Sequence, residues 1–264
     1  MGAIWDLYDR GELQTANALG TQMLRLAQSV QDPALLLEAH HLLGHVLYFL
    51  GKITSAREHF EQGAALYDPR RHHSHAFLYG HDPGVTCLGY TALVLWYLGY
   101  PDQALRRSHE ALTLAQRLSH PYSLGHASIT SARLHQLRQE GAMTKERAET
   151  AISLATEQGF AFFLALGTII RGRALVGQKQ IEEGIAQIRQ GLTGLVAMGA
   201  GFYTRAHFLT LLAEAYGKAE QWKEALSVLT EALAVVAKTG ERFYEAELYR
   251  IKGQLILQSA VRKP

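Results

Sequence analysis

LLAEAYGKAEQWKEALSVLTEALAVV, residues 211–236, decides the fold, and LLGHVLYFLGKITSAREHFEQGAALYDP, residues 42–69, repeats its pattern. Each opens on Leu and a small residue, Leu212-Ala213 in one and Leu43-Gly44 in the other, with Tyr216 or Leu47 three positions on. A turn containing Gly or Ala follows. Beyond it come an Ala (Ala225, Ala56), a bulky apolar residue four on (Leu229, Phe60) and a small one three later (Ala232, Gly63). Apolar residues three and four apart share one helix face, so each stretch reads as two amphipathic helices folded back on each other.

Aligning the chain on the small residue of the second helix gives Ala56, Ala104, Ala148, Gly184 and Ala225, with spacings of 48, 44, 36 and 41. The pattern, L-G-x-x-Y followed by A-x-x-x-F, is that of tetratricopeptide units, whose commonest period is 34. The longer spacings predict helices about a turn longer than usual and loops of uneven length. The expected fold is all-α: a right-handed α-solenoid of about six helical hairpins and a C-terminal capping helix. As a single superhelical domain over 1–264, the units are expected at 1–31, 34–67, 84–119, 121–158, 160–198 and 202–238. The capping helix is expected over 241–259, with an apolar face of Phe243, Leu248, Ile251, Leu255 and Ile256, and a long linker over 68–83. Asp32-Pro33 has the chemistry of a helix start, with Asp as cap and Pro where its missing N–H costs nothing. The small residues have a task of their own: where two helices cross closely, a side chain longer than a methyl pushes the axes apart.

Composition narrows the function. Lys and Arg number 26 against 24 Asp and Glu, a net charge of +2, which leaves no electrostatic footprint for nucleic acid or an anionic membrane. The single cysteine, Cys87, excludes an intramolecular disulfide framework and fits a reducing, cytoplasmic setting. The opening MGAIWDLYDRGELQ lacks the basic and apolar regions of a signal peptide, and the longest apolar stretch, Val85–Tyr100, is short for a membrane span. No serine-centred elbow, HExxH helix or cysteine–histidine arrangement is present, so no catalytic residue and no cofactor are expected. His41 and His45 have a spacing that can chelate zinc, and His72, His73, His75 and His81 crowd the linker. No cysteine or carboxylate pattern accompanies them, and the reading is no metal.

Five further segments carry a narrower resemblance: HSHAFLYGHDPGV (73–85), LGYPDQALRRSHEALTLAQ (98–116), KERAETAISLATEQGF (145–160), EEGIAQIRQGL (182–192) and TGERFYEAELYRIKGQLIL (239–257). They resemble the C-terminal tetratricopeptide region of large bacterial signalling proteins that carry an adenylate/guanylate cyclase-type or other effector domain and a P-loop ATPase ahead of the repeats. The resemblance runs from about Leu13 to Leu257. It implies a sensory or assembly arm, with the ATPase or cyclase portion as a partner in cis. Nucleotide chemistry is not carried over: the cluster Gly191, Gly194, Gly199, Gly201 lacks the lysine and strand context of a phosphate-binding loop.

In such superhelices the first helix of each hairpin faces the concave groove. The face opposite the packing residues presents Glu38, His41, His45 and Tyr48, then Leu93 and Trp96, then His126, Arg133 and Gln136. It continues with Arg173, with His207 and Glu214, and with Glu247 and Arg250. The candidate groove residues are thus His41, His45, Tyr48, Trp96, His126, Arg133, Arg173, His207, Glu214 and Arg250. Tyr79, His81 and Asp82 of the linker are expected at its mouth. The arginines suit carboxylates, because a guanidinium presents a matching fork of donors. The leading expectation is a protein-interaction scaffold holding a peptide or protein segment. A small-molecule sensor, or an enzyme using the linker histidines as acid and base groups, is an alternative, and the oligomeric state stays open.

Overall fold

The structure, a computed structural model, describes residues 2–72, 74–199 and 204–261. Among these residues every regular element is a helix. Six antiparallel hairpins follow in order: α1 (Gly2–Asp9) with α2 (Leu13–Val30), α3 (Pro33–Phe49) with α4 (Ile53–Leu66), and, after two short helices α5 (Pro69–His72) and α6 (His75–Tyr79), α7 (Pro83–Tyr97) with α8 (Pro101–Leu118). Then come α9 (Pro121–Leu137) with α10 (Gly141–Gln158), α11 (Ala161–Gly177) with α12 (Ile181–Ala197), α13 (Arg205–Lys218) with α14 (Trp222–Thr239), and the closing α15 (Glu245–Val261).

The hairpin starts are written in local chemistry. Asp32 accepts from the backbone N–H groups of Ala34 and Leu35 at 2.8 and 3.2 Å, and Asp82 Oδ1 accepts from Val85 at 2.9 Å. Both precede a proline, and His120-Pro121 repeats the device with imidazole Nδ1 accepting from Ser123. These side chains satisfy donors that a helix start leaves without partners. Within hairpins the chain reverses through one left-handed residue. It is Gly51 and Gly99 in two turns, but Gln139, Lys179 and Glu220 in three others, all at φ between 61° and 84°.

First and second helices differ in burial. α3 is buried without a break from Leu37 to Phe49, polar residues included, whereas α4 and α8 bury little more than a stripe of Ala, Gly, Ser and Phe. First helices therefore form the inner layer and second helices the outer one. The anchors Ala56, Ala104, Ala148 and Ala225 have no exposed surface. Close approach is tightest between α11 and α12: a Cβ on Gly184 would stand 2.6 Å from the carbonyl oxygen of Gly172 and 2.5 Å from Val176 Cγ2.

The C-terminal end departs from the expected helix over 241–259. Residues 241–244 are not helical, because the N–H groups of Arg242 and Phe243 donate to the carbonyl of Phe49 at 2.9 and 3.3 Å. Phe243 packs on Tyr48 with ring centroids 4.3 Å apart. α15 follows, burying Leu248, Ile251 and Leu255 but leaving Ile256 outside. The superhelix thus meets itself, the last turn of α3 against the entrance to α15.

These contacts set two expected outcomes. Gly184→Ala should destabilise by about 1–3 kcal/mol, against the usual gain for Gly→Ala in a helix, because a backbone oxygen has nowhere to move. Ala225→Leu should cost a similar amount, on the order of 1–3 kcal/mol, through overpacking. Thermal melts of the two variants check both, and an unchanged melting temperature would mean that the helix crossing is looser than described.

Candidate functional site

The inner face carries a chamber of about 450 Å³. It lies against the inner faces of several first helices. Thr86 and Tyr90 come from α7, Tyr122, His126, Ile129, Thr130 and Arg133 from α9, Phe162, Phe163 and Leu166 from α11, and Thr204 and Phe208 from the start of α13. α3 supplies His41 and His45, and α1 supplies Trp5, Tyr8 and, at the exposed rim, Asp9. Leu78 and His81 of the linker complete the mouth. Spacings of three and four along α9 put one stripe of side chains, 122 to 133, into a single cavity.

The polar groups are positioned from behind. Glu38 is buried and takes His41 Nδ1 at 3.2 Å and His75 Nδ1 at 2.6 Å. Burial works against the Glu38 charge, but hydrogen bonds from the two imidazoles prevail and hold the carboxyl below its ordinary range. This carboxylate pins both the helix and the linker, and it fixes His41 with Nε2 unpartnered. His45 Nδ1 lies 3.4 Å from the Tyr8 hydroxyl, and its Nε2 is also buried without a partner. Trp5 leans across both, its ring 5.2 Å from His41 and 5.5 Å from His45, with Nε1 buried and unpartnered. His126 Nδ1 completes the set.

Electrostatics make this interior unusual. Arg133 is only 6% exposed. Its Nη2 donates to the Tyr48 hydroxyl at 3.3 Å and its guanidinium sits 6.0 Å from the Tyr90 ring centre. Among the described residues no carboxylate pairs with it. Burial, then the neighbouring His41 and Arg133, push the His126 imidazole down to about 3; His45 is held well below its ordinary value by burial and the surrounding positive groups. Both rings are neutral at physiological pH, so Arg133 is the fixed cation of the chamber wall. Glu241, in the seam, is fully buried with both carboxylate oxygens unpartnered. Burial pushes it up to about 8, with Arg133 pulling the other way.

The residues expected in the groove divide into two groups. His41, His45, His126 and Arg133 converge on the chamber, with His81 at its mouth and Tyr48 beneath Arg133. His207 is buried behind them, its ring 4.4 Å from Tyr244 and its Nδ1 unpartnered. Trp96, Arg173 and Glu214 lie about two turns further along their helices and do not reach the chamber. Trp96 packs under the Arg138 guanidinium at 5.8 Å, Arg173 faces Glu214 at 3.5 Å, and Arg250 is exposed and bound to Glu247 and Gln254 of its own helix. Asp82 serves as the cap of α7 and accepts from the Tyr67 hydroxyl at 2.7 Å. The Tyr79 side chain, His73 and Gly201 lie outside the described residues. The sequence does not single out Trp5, Tyr8, Tyr90, Tyr122, Phe162 or Phe163 as site residues. Tyr90 is within its reach: it stands one turn before Leu93, on the same stripe.

Among the described residues no group of three or more His, Cys, Asp or Glu is placed to hold a metal ion, and no helix is long and apolar enough to cross a membrane. Cys87 is buried, and burial pushes its thiol well up.

No family model matches the chain. An uncharacterized protein of Rhizobium meliloti (strain 1021), R02095, is 24% identical over 239 residues, 90% of this chain and 23% of the relative. The chain therefore spans about a quarter of the length of the curated relative it matches. Among solved structures it is similar to the APC/C hetero-tetramer Cut9–Hcn1, with TM-score 0.68, 14% identity, and coverage of 97% of this chain and 42% of that one. A Rap protein complexed with Competence and Sporulation Factor superposes with TM-score 0.66 and 13% identity over 97% and 74%. A thermophilic tetratricopeptide protein of Thermus thermophilus gives 0.50 and 20% over 84% and 99%. The fold is a tetratricopeptide-like α-solenoid. At these identities the likeness is one of fold.

The raised Glu241 carboxyl gives a pH dependence with a definite sign. The folded chain keeps a proton there that the unfolded chain releases at its ordinary value of 4.5, so this stabilising contribution is complete below pH 4.5 and is lost as pH rises to about 8. Glu241→Gln should therefore match the wild type near pH 4.5 and exceed it by roughly 2–5 kcal/mol above pH 8. Melting curves of the pair at the two pH values check this; a constant difference would mean that Glu241 titrates normally.

Proposed function

We propose that this chain is a non-catalytic receptor module that takes a small molecule or a short peptide segment into the inner chamber. In this reading it serves as the sensory or interaction arm of a larger cytoplasmic signalling protein, with a P-loop ATPase or cyclase-type portion as its partner in cis. The observation that carries the reading is the chamber, at about 450 Å³ within the range of ligand sites, walled by aromatic rings and holding several buried polar atoms without partners. Buried polar atoms are ordinarily satisfied, so a cluster of unsatisfied ones around one cavity marks a place where something else supplies the hydrogen bonds.

Two features support a short occupant over a folded partner domain. The volume is that of a small ligand site, and α1 and the linker cover one side of it. The Rap protein, complexed with its factor, offers a precedent for ligand capture on a similar fold. Against catalysis stands His41: oriented by Glu38 as a base would be, it has no hydroxyl or thiol on Nε2 to activate.

The test is thermal stabilisation by metabolite and peptide pools below the size of a small protein, beside Leu166→Trp, which thrusts an indole into the chamber. Wild type should melt higher with the active fraction, stabilised by about 2.7 kcal/mol at a hundred times Kd, with a change in tryptophan fluorescence. The variant, once shown to be helical, should not respond. Stabilisation of both proteins alike would move the site elsewhere, and no response of wild type to any fraction would remove the proposal.

A further inference from the structure

The chamber's polar atoms differ in what they are able to do, and that difference identifies a ligand class. A guanidinium and an indole N–H only donate hydrogen bonds, whereas a neutral imidazole adapts through its tautomer. The obligate donors here are Arg133 and Trp5, the latter with Nε1 buried and unpartnered. Trp5 lacks an acceptor, and Arg133 has phenols but no anion.

Charge narrows the acceptor further. Arg133 is buried among the phenols of Tyr48, Tyr90 and Tyr97, with no carboxylate within ion-pair distance among the described residues. A buried cation held by neutral partners is costly, and an anion placed beside it relieves the cost. Glu241 does not take that place near neutrality, since burial keeps it protonated up to about 8. His45 and His126 are neutral, so they add no second positive charge. Arg133 is the one guanidinium or ammonium among the described lining residues, its planar fork matches a carboxylate, and the one lining carboxylate, Asp9, stands apart at the exposed rim. The helix ends act in the same direction: Thr86, Tyr122 and Phe163 belong to the first turns of three helices and Thr204 immediately precedes a fourth, where the macrodipole is positive. The remaining wall is aromatic, with Tyr8, Tyr90, Tyr122, Phe163 and Phe208, and accommodates an apolar or aromatic body.

Building on the receptor reading above, we infer that the occupant is a monocarboxylate with an aromatic or apolar body, its carboxylate on Arg133 and a second acceptor on the Trp5 indole N–H. A free organic acid and the C-terminal carboxylate of a short peptide share this chemistry.

Matched pairs test it on the intact chain. A panel of aromatic and aliphatic carboxylic acids is compared with the corresponding primary amides, and short peptides ending in Phe, Tyr or Leu are compared as free acids and C-terminal amides. Binding is read by calorimetry and tryptophan fluorescence. The expected result is at least a tenfold preference for the acid within the pairs that bind, and loss of that preference in Arg133→Met. Binding confined to the organic acids names a metabolite as the source, and binding confined to the peptide acids names a chain terminus. Because the acid–amide comparison is made on wild type, it stands even if Arg133→Met fails to fold. Amides binding as tightly as acids would overturn the inference and leave the receptor reading intact, as would an acid preference that survives in folded Arg133→Met. Failure of every acid, while the pools above still stabilise wild type, would overturn the inference alone; failure of both would remove the receptor reading too.

Discussion

The carbonyl of Phe49 accepts two backbone N–H groups from a segment nearly two hundred residues away, and the rest of the inner structure depends on that meeting. An open solenoid would leave His41, His45, His126 and Arg133 lining a wet groove, with ordinary charges and water for partners. Closure at Phe49, reinforced by Phe243 on Tyr48, covers the Arg133 end of this interior, while Trp5 and Tyr8 cover His41 and His45. Their chemistry then follows from desolvation: His45 and His126 lose their protons, Glu241 keeps one, and Arg133 is left with phenols.

Stability and recognition pull in opposite directions in this interior. Alanines and glycines at the helix crossings bring backbones together and make the fold tight. The chamber does the reverse, holding polar atoms that the protein itself does not satisfy. Natural chains keep such atoms buried where a site needs them, at some expense of stability. Glu38 marks the boundary between the two regimes. It is fully engaged by His41 and His75, and it anchors the linker to α3 while turning one imidazole nitrogen toward the cavity.

Much of this is legible in the chain, and the parts that are not have physical reasons. The anchors from Ala56 to Ala225 are dictated by local packing within one hairpin, so a period in the sequence reveals them. The Asp-Pro starts are equally local. The helix face is legible too, since His41, His45, His126 and Arg133 share the phase read from the packing residues. What escapes is depth along that face. Trp96, Arg173 and Glu214 have the right phase but sit two turns beyond the chamber. Their position depends on small rotations summed over successive hairpins, and no local pattern records such a sum. Trp5 escapes for the same reason, because an opening helix reaches the cavity only through the curvature of everything after it. Gln139, Lys179 and Glu220 hide their turns by adopting a conformation usually announced by glycine.

α1 has a mechanical meaning. This eight-residue helix is a wall of the cavity, and its hold on the body runs through α2, through Ile4 and Tyr8 in the core and through Trp5 lying on the imidazoles. Any occupant that touches Trp5 adds to that hold. Tension on α1 and affinity in the cavity are therefore two expressions of one coupling, and the coupling is reciprocal. A pull that lifts α1 must loosen the occupant, and an occupant must raise the force at which α1 comes away.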